Sequence, residues 1–176
     1  MKHVYIVRHG QSEMNVAGQF AGQVETPLTD EGRQQARKAG KQAQEFGIDL
    51  IITSSLSRAH ETARIIAHEI GYPEDKIAVD DLLIERDFGS AEGTPYSPDF
   101  DFETVPDVEP LNVLHDRLAV FYTKLQNLPA ENILVVTHGS SGRMLRTVVK
   151  PEIPFNSTGS PLKEHHLPNA KIVQLI

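Results

Sequence analysis

Three short runs of β-branched and aliphatic residues, at positions 3–7, 50–53 and 132–137, break off onto polar residues and are separated by long stretches of helical periodicity. Parallel strands cannot be joined by tight turns, so this alternation selects a mainly parallel sheet with helices on both faces. The runs lead into Arg8-His9-Gly10, Ser54-Ser55 and His138-Gly139. Between the first two, Thr29 predicts an N-cap with Asp30 and Glu31 in the first turn. Ala36, Ala39, Ala43 and Phe46 then form the apolar stripe of a helix stopped at Gly47. Ala59, Ala63, Ile66, Ala67 and Ile70 mark a second helix, ended by Gly71 and Pro73, with Arg58 in or beside its first turn. Leu111, Leu114, Leu118, Phe121, Leu125 and Leu128 mark a third, ended by Pro129, and a shorter helix starts at Ser140 or Ser141. Residues 77–79 read as a short strand and residues 170–176 as a closing strand, placed on a sheet edge. Residues 89–110 and 151–168, with four prolines each, read as loops. The expected architecture is α/β, a three-layer α/β/α sandwich, and 176 residues fit one domain over 1–176.

Composition narrows the partners. With 39% apolar and 23% charged residues the chain is that of an ordinary globular protein. Its net charge of −7 argues against a diffuse basic surface, so neither nucleic acid nor an anionic membrane is expected as a partner. Any bound anion must be held by a local pocket. The absence of cysteine removes disulfides, thiolate nucleophiles and cysteine metal sites. No run approaches the ~20 apolar residues of a membrane helix, and the first apolar run is too short for a signal-peptide core. The expectation is a cytoplasmic protein; its oligomeric state is left open.

In open parallel sheets ligands bind outside the carboxyl ends of the strands. Arg8, His9, Arg58 and His138 all fall there, and a pocket of two arginines and two histidines suits phosphate better than a metal. Neighbouring guanidiniums repel a cation, and their forks match phosphate oxygens. Helix N-termini after Ser54-Ser55 and His138-Gly139 are expected to add backbone N–H donors.

The same residues resemble those of the histidine phosphatase superfamily, also called phosphoglycerate mutase-like. The likeness rests on Arg8-His9-Gly10-Gln11-Ser12-Glu13-Met14-Asn15, on Pro27 to Gly32, and on Ser54 to Ala63. It continues through Glu85-Arg86-Asp87-Phe88-Gly89 with Glu92-Gly93, Val136-Thr137-His138-Gly139 and Pro168-Asn169-Ala170. Each piece alone is weak, but together they span nearly the whole chain in order. The resemblance implies a phosphoglycerate mutase-like fold. It also implies a phosphomonoesterase that needs neither metal nor cofactor and works through a phosphohistidine on His9. Arg8, Arg58 and His138 would hold the phosphoryl oxygens, and Glu85 would serve as general acid and then base. Glu92, Asp87 and Glu13 are alternative carboxylates. Asn15, Ser12 and Gly139 are expected near the phosphate, and Phe20, Ala21 and Gly22 at the pocket mouth.

Two departures bear on activity. Ser12 stands where the family usually has Thr and keeps the hydroxyl. Mutases of the group carry basic residues after the acid-bearing segment, whereas this chain has no Lys or Arg between Arg86 and Arg117 and instead has Asp99, Asp101, Glu103, Asp107 and Glu109. A phosphatase acting on a small phosphorylated metabolite is therefore the favoured reading. A phosphoprotein phosphatase acting on phosphohistidine or phosphoserine, and a phosphoglycerate mutase, are the alternatives. His165-His166 reads as a solvated pair rather than a metal site. His3, His60, His68 and His115, and the basic face of Arg33, Arg37, Lys38 and Lys41, read as surface.

Overall fold

The computed structural model describes residues 2–155 and 166–176. A five-stranded sheet has the order β3-β2-β4-β1-β5, built from β1 (His3–Arg8), β2 (Leu50–Thr53), β3 (Ala78–Val79), β4 (Asn132–Thr137) and β5 (Ile172–Gln174). β1 and β4 pair in parallel, as do β4 with β2 and β2 with β3, while β5 runs antiparallel on the free side of β1. The fold is α/β with a mainly parallel sheet, as expected.

The two-residue alternation of the strands decides which helices cover which face. Val4 and Ile6 of β1, with Ile133 and Val135 of β4, pack against α4 (Leu111–Gln126) and α5 (Gly139–Val149) through Leu114, Leu118, Phe121, Leu125, Met144 and Leu145. Val7, Leu134 and Val136 face α2 (Asp30–Ala43) and α3 (Ser57–Ile70). These two helices meet through small residues. A Cβ on Gly40 would lie 2.6 Å from Cβ of Glu69, so only glycine allows that approach. Thr29 accepts from Gly32 N–H as the cap of α2, and Gly47 and Gly71 adopt the left-handed conformation at the predicted stops.

Some boundaries differ from the sequence expectation. The closing strand shrinks to Ile172–Gln174 because Ala170 adopts φ +50, turning the chain just before it. β3 begins at Ala78, and α5 begins at Gly139, earlier than the serines. Residues 89–110 are more than a loop. They form two short 3-10 turns, Gly89–Ala91 and Phe102–Thr104, around an aromatic cluster of Phe20, Phe88 and Phe102. Within 151–168, positions 156–165 lie outside the described residues, and so does His165. A four-residue helix, α1 (Glu13–Val16), completes the set around the carboxyl end of β1. Among the described residues no helix is long and apolar enough to cross a membrane.

Candidate active site

Strand register brings the polar ends together. Arg8 pairs with Thr137 and Thr53 with Val136, so the residues that follow, His9, His138 and Ser54, leave three adjacent strands side by side. His9 N–H donates to the Thr137 carbonyl at 3.0 Å, and the rings of His9 and His138 stand 5.2 Å apart. His9 borders an open cavity of about 370 Å³, lined among others by Arg8, Asn15, Arg58 and Glu85, while His138 and Ser54 lie just outside that lining.

Hydrogen bonding sets the tautomer of His9. Its Nδ1 lies 2.7 Å from the Gly10 carbonyl oxygen, which can only accept, so Nδ1 carries the hydrogen. Nε2 keeps its lone pair and accepts from Nε of Arg58 at 3.3 Å. The ring is 4% exposed. Burial first, then the charges of Arg8 and Arg58, hold its pKa well below the ordinary histidine value. His9 is therefore a neutral imidazole with its basic nitrogen beside two guanidiniums.

The cations around it are fixed by backbone carbonyls. Arg58, 1% exposed, donates from Nη1 to Val24 O at 2.8 Å and from Nη2 to Gly22 O at 2.6 Å. Gly22 has φ +51, and its place in the cavity lining follows from this clamp. Arg8 donates from Nη1 to Leu167 O at 3.3 Å. His138 is fully buried, and its Nε2 lies 2.8 Å from Ser54 Oγ. Since Leu56 N–H already donates to Ser54 Oγ, the hydroxyl hydrogen can go to Nε2, leaving Nδ1 of His138 as an N–H. Among the described residues, two buried side-chain nitrogens have no hydrogen-bond partner, Nε of Arg8 and Nδ1 of His138. Such groups are rare in folded proteins, and Arg8 lines the cavity.

Glu85 is placed by α5. Its Oε2 accepts from Ser140 N–H at 3.0 Å, and its Oε1 accepts from Ser141 N–H and Arg86 N–H at 2.9 Å each. Two of the first-turn donors of α5 that the sequence assigned to phosphate, Ser140 and Ser141 N–H, are thus held by Glu85. At α3, Ser57 N–H likewise donates to Glu25. Among the described residues, Glu85 is the one carboxylate that lines the cavity. Glu92 instead accepts from Gln23 and Phe88 N–H groups, Asp87 accepts from Gly89 N–H, and Glu13 is exposed on α1.

The sequence profile of the histidine phosphatase superfamily (branch 1) matches residues 4–175. The chain belongs to that superfamily. Among curated relatives it is 36% identical over 156 residues to an uncharacterized phosphatase, PhoE, of Bacillus subtilis, a match covering 85% of this chain and 78% of that protein. It is 32% identical over 160 residues to a 2,3-bisphosphoglycerate-dependent phosphoglycerate mutase of Parvibaculum lavamentivorans, covering 80% of this chain and 76% of the relative. Among solved structures, Bacillus stearothermophilus YhfR superposes with a TM-score of 0.82 at 25% identity, over 99% of this chain and 90% of that one. Phosphatases and mutases thus both carry names in this superfamily.

The remaining candidates of this histidine phosphatase family member divide by position. Asn15, Gly139, Phe20, Ala21 and Gly22 line the cavity. Ser12 does not; it is fully buried, and its hydroxyl accepts from Asn15 N–H while the Asn15 side chain accepts from Ser12 N–H, a reciprocal cap on α1. Other lining residues were given no role at the site by the sequence, Asn169, Arg143 and Tyr96 among them. Asn169 donates from Nδ2 to His9 O at 2.9 Å, and the left-handed Ala170 beside it donates its N–H to Arg8 O. Arg143 sits one helical turn beyond Gly139, a spacing that could have flagged it. Burial brings its pKa down to about 10. Tyr96 closes the rim from the 89–110 segment, and His166, exposed as a solvated histidine is expected to be, also lines the cavity. Arg117 acts from behind, donating to the carbonyls of Ile84 at 3.0 Å and Glu85 at 3.3 Å and to Glu109 at 2.6 Å.

Proposed function

We propose that the chain, as one domain, is a metal-independent phosphatase of small phosphorylated metabolites that works through a phosphohistidine on His9. The carrying observation is the pair of unpartnered buried nitrogens, Arg8 Nε and His138 Nδ1, beside a neutral His9. A phosphoryl group there supplies oxygens for both, and Arg8 and Arg58 balance its charge.

In the first step His9 Nε2 attacks phosphorus, forming the P–N bond as the ester P–O bond breaks, and Glu85 gives the departing oxygen a proton. In the second, water attacks phosphorus, Glu85 takes its proton, and the P–N bond breaks to release inorganic phosphate and neutral His9. Arg58 moves from bonding the lone pair of Nε2 to bonding a phosphoryl oxygen. Arg8 and His138 stabilise charge on the other oxygens, which is most of what phosphoryl transfer asks of a protein.

Two of the acidic residues of the 89–110 segment are held in ion pairs. Glu103 pairs with Arg86 at 2.8 Å, Glu109 with Arg117, and Asp107 accepts from Ser90. What favours hydrolysis over mutase action is that this segment brings Tyr96 and Phe102 to the cavity, beside Phe88, and no cation. The test is phosphate release from 4-nitrophenyl phosphate in the presence of a chelator, for wild type and His9→Ala. Chelator-resistant activity lost in the variant supports the reading. Efficient interconversion of 3- and 2-phosphoglycerate, or selective action on a phosphoprotein alone, would replace it with one of its alternatives.

A further inference from the structure

Resting on that phosphatase reading, we infer that the preferred substrates are phosphate monoesters whose leaving group carries a ring, held against an aromatic wall made by Phe20, Phe88, Tyr96 and Phe102. All four side chains line the cavity that holds His9 and Arg8. The wall is built rather than incidental. Backbone bonds zip residues 18–20 to residues 93–96. Phe20 N–H donates to Thr94 O at 3.1 Å, Gly93 N–H to Phe20 O at 2.8 Å and Tyr96 N–H to Gly18 O at 2.6 Å. Phe88 and Phe102 stack with centroids 4.2 Å apart and planes 15° apart. Phe20 meets Phe102 edge-on at 4.9 Å and Tyr96 at 5.4 Å. Arg86, bonded to Glu103, lies over the Phe102 ring and fixes its back.

Three of these rings are nearly buried, at 6%, 6% and 3% exposure for Phe20, Phe88 and Phe102, so they keep their shape without a ligand. Tyr96 differs, with 48% of its surface open. Aromatic surface exposed at a cavity rim gains from contact with a second ring, through burial and through edge or offset stacking. Between Arg86 and Arg117 no Lys or Arg offers this wall a partner for a carboxylate or second phosphate. The wall therefore selects for shape and apolar surface, while the strand ends bind the phosphoryl group.

The test separates binding from turnover. Calorimetric titration of the full chain with benzylphosphonate and methylphosphonate, neither of them hydrolysable as an ester, reads the wall alone. Benzylphosphonate is expected to bind about tenfold tighter or more. Hydrolysis of benzyl phosphate and glycerol 3-phosphate, both alkyl esters, should show a kcat/KM ratio of the same order. Tyr96→Ala should lower both ratios several-fold and Tyr96→Phe should restore them. A ratio cancels any general loss in a variant, and the wild-type comparison decides even if Tyr96→Ala folds poorly. Equal affinities for the two phosphonates, or preference for glycerol 3-phosphate, overturn the inference. Ring-dependent binding without hydrolysis of any ester supports the wall and removes the phosphatase reading.

Discussion

Nε of Arg58 donates to Nε2 of His9 at 3.3 Å while both terminal nitrogens of the same guanidinium hold the carbonyls of Gly22 and Val24. One side chain thus orients the candidate nucleophile and ties the pocket mouth to it. Arg58→Lys keeps a charge but loses the planar fork, so it cannot serve all three partners at once. We expect kcat/KM on an aryl phosphate to fall by ~10²–10³. Melting should also drop, because buried carbonyls lose their donors. Wild-type turnover in Arg58→Lys would remove it from the mechanism.

Glu85→Gln separates acid-base work from helix capping. A glutamine has one carbonyl oxygen where Glu85 uses two oxygens for three N–H groups, so a buried donor is left unpaired at a cost of about 1–3 kcal/mol. For benzyl phosphate, whose leaving oxygen needs a proton, kcat should fall ~10²–10⁴-fold. For 4-nitrophenyl phosphate, with a stable leaving anion, formation of the phosphohistidine should suffer less. Equal losses on both esters would assign Glu85 a purely structural role.

Acid should destabilise the fold earlier than carboxylate titration would. His9 and His138 both have pKa values held well below the ordinary 6.5, mainly by burial and then by the neighbouring arginines. A histidine with a depressed folded pKa binds a proton on unfolding, so stability falls as pH drops below the unfolded value and levels off only under the folded one. Each contributes about 1.4 kcal/mol per pH unit in that window. Urea unfolding between pH 7.5 and 5.5 should show midpoints falling with pH, and His138→Gln should reduce the slope. A flat profile would mean that both rings take up protons in the fold as readily as in the unfolded chain. On the activity side, protonation of free His9 should not set an acid limb near pH 6.5.

Ser12→Ala tests whether the hydroxyl belongs to the substrate site or to the chain. It caps α1 reciprocally with Asn15 and is absent from the cavity lining. We expect a loss of about 1 kcal/mol in stability, typical of a removed N-cap. KM should change little. A large rise in KM with unchanged stability would return Ser12 to the binding site.

The sequence by itself determined the sheet, the helix stops and the identity of the residues at the strand ends. Those features are local: a two-residue apolar alternation, a Thr29 cap, a glycine at 47 or 71, and polar residues where an apolar run stops. Arg8, His9, Arg58 and His138 were legible because each lies within a few residues of such a stop. Tertiary structure decided what those groups touch. That Glu85, rather than a phosphate, caps α5 depends on contacts across 55 and 56 positions, and the grip of Asn169 on His9 O spans 160. Arg117 reaches Glu85 from another helix, and Glu103 and Glu109 of the 89–110 segment hold Arg86 and Arg117. Periodicity carries no information about which distant donor meets which acceptor. Strand register and helix packing settle that, because every buried polar group must find a partner at hydrogen-bonding distance.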